Sequence, residues 1–158
     1  PLQLAQAYSI IGNNGVGHPV SLTALEEAGP GEQRVSADSA NAIRRMMEEV
    51  VRPGGTATDA SVDGYRIAGK TGTSKKVAPG GYSEDKYVSI FAGLAPASNP
   101  RLATVVVIDE PSGELYYGGD VAAPVFADIM SESLRLLAVP PDALPARDPN
   151  STMQAMRE

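Results

Sequence analysis

The distribution of apolar patterns along the chain predicts an α+β fold, in which helices pack on an antiparallel sheet. Helical periodicity occurs in three regions, at residues 2–8, 43–51 and 125–137. Most of the strand-like segments are grouped between the last two of these regions. This grouping differs from the regular strand–helix alternation of parallel α/β proteins. The chain has 158 residues, 42% hydrophobic and 20% charged, which fits one globular domain with its own core.

The first predicted elements are a helix and a short strand. Leu2, Ala5 and Tyr8 repeat at helical spacing, and residues 13–15 (N-N-G) end that helix. Residues 20–25 predict a short strand, followed by a loop rich in Gly and Pro.

A second helix is predicted from Ser36, whose side chain can cap free backbone N–H groups, and it ends at residues 52–55 (R-P-G-G). Its apolar stripe recurs at positions i, i+3, i+4, i+7 and i+8 and comprises Ile43, Met46, Met47, Val50 and Val51. The opposite, polar face is assigned to Arg44, Arg45, Glu48 and Glu49.

Three strands and a last helix complete the prediction. Residues 65–73 form a strand, residues 74–86 a polar loop, and residues 87–94 and 102–108 a pair of strands with a hairpin-like connection. The last helix follows residues 118–120, and its apolar positions are Val125, Phe126, Ile129, Met130, Leu134 and Leu137. Residues 1–139 are thus the folded part, and residues 140–158, rich in Pro and Asp, are an exposed and mobile tail.

Composition excludes several classes of function. The net charge of −6 and the pI near 4.8 argue against a nucleic-acid or anionic-membrane surface. The chain has no Cys and a single His, which argues against Cys catalysis, disulfides and structural zinc. His18 has no neighbour in sequence that would orient it, so we assign it to a loop and expect no metal and no cofactor. Because the chain begins inside a helical pattern without Met, we expect it to belong to a longer protein.

Residues 64–73 (G-Y-R-I-A-G-K-T-G-T) satisfy two incompatible motifs. Residues 64–71 match a P-loop for nucleotide phosphates, and Asp109 after an apolar strand resembles its Walker B partner. Lys70, Thr71 and Gly72 equally form a K-T-G box, which lies on a strand.

The surrounding sequence favours the K-T-G box. A P-loop follows a buried strand and opens a helix, but residues 56–63 are polar, and Gly and Pro follow the motif closely. Bulky residues such as Tyr65 and Ile67 suit a strand better than a phosphate-binding loop. We therefore interpret Asp109 and Glu110 as solvated or structural residues that bind no metal.

Further segments in the same order resemble the C-terminal half of the transpeptidase domain of class B penicillin-binding proteins. They are residues 1–8 (P-L-Q-L-A-Q-A-Y), 91–96 (F-A-G-L-A-P), 116–119 (Y-Y-G-G) and 123–126 (A-P-V-F). The likeness is greatest to the division-specific penicillin-binding protein 3 type of Gram-negative bacteria. The resemblance implies the fold shared by penicillin-binding proteins and serine β-lactamases.

The resemblance also implies a reaction and its residues. A serine attacks the D-Ala-D-Ala bond of a peptidoglycan stem peptide, and the amine of a second stem peptide resolves the acyl-enzyme. Lys70 is expected to place positive charge near the substrate carboxylate, and the hydroxyls of Thr71 and Thr73 to bind that carboxylate. The backbone N–H of Thr73 is an expected oxyanion donor. Gly72 is expected to let the peptide lie along the strand.

The resemblance also suggests roles for three tyrosines and for two further short motifs. Tyr87, Tyr116 and Tyr117 are expected to line the cleft, although strand tyrosines often serve packing alone. The S-x-x-K at Ser83 lies after the K-T-G box rather than before it, and the S-x-N at Ser39 falls in the first turn of a helix. We interpret both as coincidences and expect the nucleophilic serine outside this chain.

The predicted function is crosslinking of stem peptides at the division septum by a β-lactam-sensitive enzyme. We expect it at the periplasmic face of the inner membrane, anchored by an N-terminal segment, together with membrane proteins of the divisome. Two alternatives stay open: a D,D-carboxypeptidase or serine β-lactamase of the same fold, and a non-catalytic fragment or binding module.

Overall fold

A three-stranded antiparallel sheet lies between helices on both of its faces. The computed structural model describes residues 1–27 and 29–143. The strands are β3 (Ala68–Ala78), β4 (Gly81–Ala95) and β5 (Leu102–Asp109), in the order β3-β4-β5. The helices are α1 (Leu2–Gly12), α2 (Ala37–Glu48), α3 (Gly118–Val121) and α4 (Ala123–Leu136), and a two-residue pair, β1 (Val16–Gly17) with β2 (Glu32–Gln33), joins α1 to α2. The predicted α+β class is confirmed.

The two faces of the sheet are covered by different helices because side chains alternate along a strand. Phe91 of β4 contacts Phe126 of α4 edge-to-face, with ring centroids 4.7 Å apart. Leu94, three residues further along the strand, lies on the opposite face against Gly12 of α1. Phe91, Leu94 and Phe126 are all buried, so the core continues on both sides of the sheet.

The first half of the chain differs from the prediction in the strand at residues 20–25. The structure has no strand there, and Leu22 is 92% exposed. The Ser21 hydroxyl accepts a hydrogen bond from the Thr23 backbone N–H and donates one to the Thr23 carbonyl, and such local bonds compete with an extended strand. The predicted cap is confirmed, since Ser36 Oγ accepts from the Ser39 N–H at 3.1 Å.

The predicted faces of α2 are wrong at two positions. Met46, expected in the apolar stripe, is 64% exposed, whereas Glu48, expected on the polar face, is buried. Glu48 accepts two hydrogen bonds from Arg66, from Nε at 2.9 Å and from Nη2 at 2.8 Å. A carboxylate can be buried when a guanidinium binds it through two hydrogen bonds, as here. The pairing could not be predicted from the sequence of α2, because Arg66 lies outside that helix.

The predicted loop at residues 74–86 is instead the end of a hairpin. β3 continues to Ala78 and β4 starts at Gly81, with Lys76 paired to Asp109 and Glu110 at 2.9 and 2.8 Å. Its hydrogen bonds to Glu110 and then Asp109 raise the pKa of Lys76. No helix covers this part of the hairpin among the described residues. Most of its side chains are polar, and Val77 and Tyr82 are exposed, so its sequence resembles that of a loop.

The start of β3 and the chain after α4 are joined. The predicted strand began at Tyr65, but β3 begins at Ala68. The Tyr65 hydroxyl donates to the Val139 carbonyl at 2.5 Å, and Asp142 accepts from the Arg66 and Ser98 backbone N–H groups at 2.7 and 3.0 Å. Residues 140–143, assigned to the tail, thus contact the folded part, and the rest of the predicted tail, 144–158, lies outside the described residues.

We expect Phe126→Ala to lower the free energy of unfolding by about 3–5 kcal/mol, because it leaves a cavity beside Phe91. Ile129→Ala is the matched control, since Ile129 lies on the same helix and is 47% exposed. Urea unfolding curves measure both effects. Equal effects of the two substitutions would contradict the assignment of Phe126 to the core.

Candidate active site at the edge of the sheet

The K-T-G box lies on the outer strand of the sheet. Residues 70–73 belong to β3, which pairs only with β4 among the residues that the structure describes. The outer edge of β3 therefore has backbone groups free to bind an extended peptide. Because the strand continues through Thr71 and no helix begins there, the P-loop interpretation is excluded and the strand interpretation is confirmed.

Lys70 and Thr71 place an ammonium group beside a hydroxyl. Lys70 Nζ lies 3.0 Å from the Thr71 carbonyl oxygen and 3.2 Å from Thr71 Oγ1, and the Lys70 side chain is exposed. Thr56 Oγ1, from the segment before the 3₁₀ turn at Thr58–Ala60, lies 3.3 Å from Thr71 Oγ1. An accessible ammonium and neighbouring hydroxyls are suited to bind a carboxylate.

Thr73 is joined to residues 116–118, where the extended chain enters α3 and which we call the 116–118 turn. The Gly118 backbone N–H donates to Thr73 Oγ1 at 3.0 Å. Only glycine fits at Gly118, since an added Cβ would lie 2.3 Å from the Ile90 carbonyl oxygen and 2.6 Å from that of Gly72. The absence of a side chain thus lets this turn approach the backbone of both strands and reach Thr73.

The three predicted tyrosines form a continuous stack beside the 116–118 turn. The Tyr87 and Tyr116 rings are nearly parallel with centroids 4.1 Å apart, and those of Tyr116 and Tyr117 are 4.5 Å apart. The hydrogen bond between the Tyr116 and Tyr117 hydroxyls, at 3.2 Å, raises the pKa of Tyr117. Tyr117 is 57% exposed, so one end of the stack offers an aromatic surface to a ligand.

The S-x-x-K at Ser83 has its groups engaged within the hairpin. Ser83 Oγ donates to Asp85 Oδ1 at 2.9 Å and accepts from the Lys86 backbone N–H at 3.2 Å. Lys86 Nζ lies 3.2 Å from a Glu110 carboxylate oxygen rather than beside Ser83 Oγ. A base that activates a serine lies within hydrogen-bond distance of its hydroxyl, and this geometry is not found here.

The S-x-N at Ser39 and the lone His also make local contacts. Ser39 Oγ accepts from Ser36 Oγ at 2.8 Å, and Asn41 accepts from Arg44 one turn later in the same helix. His18 Nδ1 lies 2.9 Å from the Gly29 carbonyl oxygen in an exposed loop. Within the described ranges, no group of three or more His, Cys, Asp or Glu residues could hold a metal ion.

Comparison with known proteins identifies the family. Residues 1–131 match the penicillin binding protein transpeptidase domain. The chain belongs to this family. It is 48% identical over 150 residues to peptidoglycan D,D-transpeptidase FtsI of Escherichia coli strain K12, covering 95% of this chain and 26% of that relative. It is 44% identical over 140 residues to the probable peptidoglycan D,D-transpeptidase PenA of Neisseria flavescens, covering 89% and 35%.

A solved member of the transpeptidase family has the same fold. The apo transpeptidase domain of Burkholderia pseudomallei penicillin-binding protein 3 is similar with a TM-score of 0.80 and 41% identity, over 90% of this chain and 44% of that one. The predicted resemblance to division-specific penicillin-binding proteins is confirmed. The chain spans about a quarter to a third of the length of these curated relatives. No helix among the described residues is both long and apolar enough to cross a membrane.

The sequence did not predict the residues outside the family motifs that contact the K-T-G strand or the 116–118 turn. Thr56 and Ser89 contact the site or its turn, yet neither lies in a family motif that we recognised. Their roles follow from tertiary contacts, since Thr56 lies fifteen positions before Thr71. Gly118 belongs to the Y-Y-G-G segment of the family resemblance, but the sequence indicated no specific role for it.

We expect Gly118→Ala to displace the 116–118 turn and to destabilise the protein by about 1–3 kcal/mol, because a methyl group cannot fit against two backbone carbonyls. Leu115→Ala is the control, since Leu115 lies in the same segment and is 60% exposed. Thermal unfolding of both variants measures the difference. A Gly118→Ala protein as stable as Leu115→Ala would contradict the close approach.

Proposed function

We propose that this chain forms the K-T-G side of the active site of a serine-type peptidoglycan D,D-transpeptidase. The observation that supports this function most directly is the placement of residues 70–73 on a free sheet edge, with Thr73 bound to the 116–118 turn. The stem peptide adds to this edge as a further strand. A serine from a segment outside this chain attacks the D-Ala-D-Ala carbonyl carbon, D-Ala leaves, and the amine of a second peptide then takes the acyl group.

Lys70 and the two threonines bind the charged groups of this reaction. The Lys70 ammonium attracts the substrate carboxylate, and the hydroxyls of Thr71 and Thr73 donate hydrogen bonds to it. The Thr73 backbone N–H is one of two oxyanion donors, and such a donor contributes about 3–4 kcal/mol to transition-state stabilisation. The N–H acts on charge that develops only in the transition state, so its contribution is to the rate rather than to initial binding.

Gly72 and the tyrosine stack shape the groove. An added Cβ at Gly72 would meet only the Ile90 Cβ, at 3.6 Å. No side chain at Gly72 therefore hinders the close approach of a peptide backbone to the strand. Tyr117, Tyr116 and Tyr87 form the aromatic wall at the end of this groove, and β-lactams bind as mimics of the D-Ala-D-Ala end.

The proposed setting is the division septum. The similar proteins FtsI and PenA are named D,D-transpeptidases, which favours crosslinking over the hydrolytic alternatives of a carboxypeptidase or a β-lactamase. The complete protein acts at the periplasmic face of the inner membrane, held by an N-terminal segment and accompanied by membrane proteins of the divisome. As an isolated fragment, this chain binds no acyl group covalently.

Labelling of the full-length protein that carries this chain tests the proposal. We expect a fluorescent penicillin to modify a single serine that precedes this chain, as located by mass spectrometry of peptides. Ser83→Ala is the control and should label normally, because Ser83 is engaged within the hairpin. Labelling at Ser83, or no labelling at all, would overturn the proposal. Rapid penicillin turnover identifies a β-lactamase, and D-Ala release without crosslinking identifies a carboxypeptidase.

We expect Thr71→Val and Thr73→Pro to affect different steps of acylation in the full-length protein. Thr71→Val should weaken initial binding of a carboxylate-bearing β-lactam by roughly 1.5–3 kcal/mol, the value of a hydrogen bond to a charged group. Thr73→Pro should nearly abolish acylation, because proline has no backbone N–H to donate. Stopped-flow acylation kinetics separate the two steps.

Thr73→Val is the matched control for Thr73→Pro, since it removes the hydroxyl and keeps the N–H. Circular dichroism shows whether each variant is folded. Near-normal acylation by a folded Thr73→Pro protein would show that Thr73 supplies no oxyanion donor.

A further inference from the structure

The 116–118 turn is held by side chains from two neighbouring strands. Ser89 of β4 donates its hydroxyl hydrogen to the Tyr116 carbonyl, at one end of the turn. Gly118, at the other end, donates its N–H to Thr73 Oγ1 of β3. Thr73 and Ser89 lie directly opposite each other in the β3–β4 pair, so both side chains project from the same face of the sheet.

Ser89 is shielded from any ligand. It is fully buried, with 0% exposure, and it lies one strand behind the edge at which a peptide would bind. An apolar residue would be expected at a buried strand position, and a buried hydroxyl is retained without cost only when it is hydrogen-bonded. The one partner of the Ser89 hydroxyl among the described residues is the Tyr116 carbonyl.

We propose that Ser89 is a positioning residue for carboxylate recognition, acting through the 116–118 turn on the hydroxyl of Thr73. This inference rests on the proposed function, because the carboxylate is that of a stem peptide or a β-lactam. Ser89 fixes the Tyr116 carbonyl, the fixed turn presents the Gly118 N–H, and that N–H sets the direction of the Thr73 hydroxyl.

The last step follows from the chemistry of a hydroxyl. A threonine hydroxyl has one hydrogen to donate and two lone pairs that accept. Because the Gly118 N–H occupies one lone pair, the Thr73 hydroxyl hydrogen turns away from Gly118 and is free to bind an anion. If the turn moves, the hydroxyl loses this constraint and its hydrogen bond to the carboxylate weakens, whereas the position of the Thr73 backbone N–H is set by β3 and does not depend on the turn.

The two roles of Thr73 therefore respond differently to a change at Ser89. Loss of the Ser89 hydroxyl should impair carboxylate recognition and leave the oxyanion donor in place. A purely structural role of Ser89 would impair both. The acylation rates of a penicillin and of its methyl ester separate these two cases, because the ester lacks the carboxylate charge and keeps the reactive β-lactam.

The experiment compares Ser89→Ala, Ser89→Cys and Thr73→Val in the full-length protein, alone and combined. For each we measure the second-order acylation constants for the penicillin and for its methyl ester. We expect Ser89→Ala to lower the acid-to-ester ratio by about three- to tenfold, the range of one net hydrogen bond. In the Thr73→Val background, Ser89→Ala should lower the ratio no further. Ser89→Cys, which keeps the volume and donates weakly, should give an intermediate ratio.

The outcomes distinguish this inference from the proposed function. A wild-type protein that forms no penicillin adduct overturns both. Normal wild-type acylation with an unchanged acid-to-ester ratio in folded Ser89 variants overturns the inference alone, as does an equal fall of the ratio in the Thr73→Val background. If Ser89→Ala does not fold, Ser89→Cys decides between the same results.

Discussion

The antiparallel pairing of β3 with β4 fixes the positions of the K-T-G residues and of the side chains opposite them. Its register sets Thr71 opposite Phe91 and Thr73 opposite Ser89. Because side chains alternate along a strand, a shift of one residue would turn both threonines to the other face of the sheet. The same register places Gly69 against the Phe91 ring, where an added Cβ would lie 2.4 Å from Phe91 Cζ. The packing of the core and the geometry of the K-T-G edge therefore depend on one another.

The sequence was sufficient to predict the elements whose patterns are local. The end of α1, the N-cap of α2, strand β5, the second half of β4 and the choice between a P-loop and a K-T-G strand all followed from neighbouring residues. Roles that depend on distant partners could not be predicted. From the sequence alone, Glu48 is predicted to be exposed, because its partner Arg66 is distant in the chain. Ser89 is a polar residue within an apolar strand, and its partner Tyr116 is equally distant. The end of the β3–β4 hairpin, residues 74–86, could not be predicted as strand, because it extends past the core and most of its residues are polar.

The start of β3 is connected to several distant segments by polar contacts. Arg66 binds Glu48 of α2 through its side chain and Asp142 through its backbone N–H. Asp142 also accepts from Ser98, in the connection between β4 and β5. A carboxylate that accepts from two backbone N–H groups satisfies donors that have no partner in the sheet. The strand that carries Lys70 is thus fixed at its beginning by contacts independent of the 116–118 turn.

The four glycines around the site differ in what restricts them. An added Cβ would lie 2.4 Å from an atom of the chain at Gly69, 2.3 Å at Gly118 and 2.1 Å at Gly119, but 3.6 Å at Gly72. The fold by itself forbids larger residues at the first three positions and accepts a small side chain at Gly72. On the proposed function, mutational tolerance at Gly72 would therefore report on the bound peptide rather than on folding. If the chain acts as proposed, substitutions at this position under antibiotic selection would alter the fit of a drug while the protein still folds.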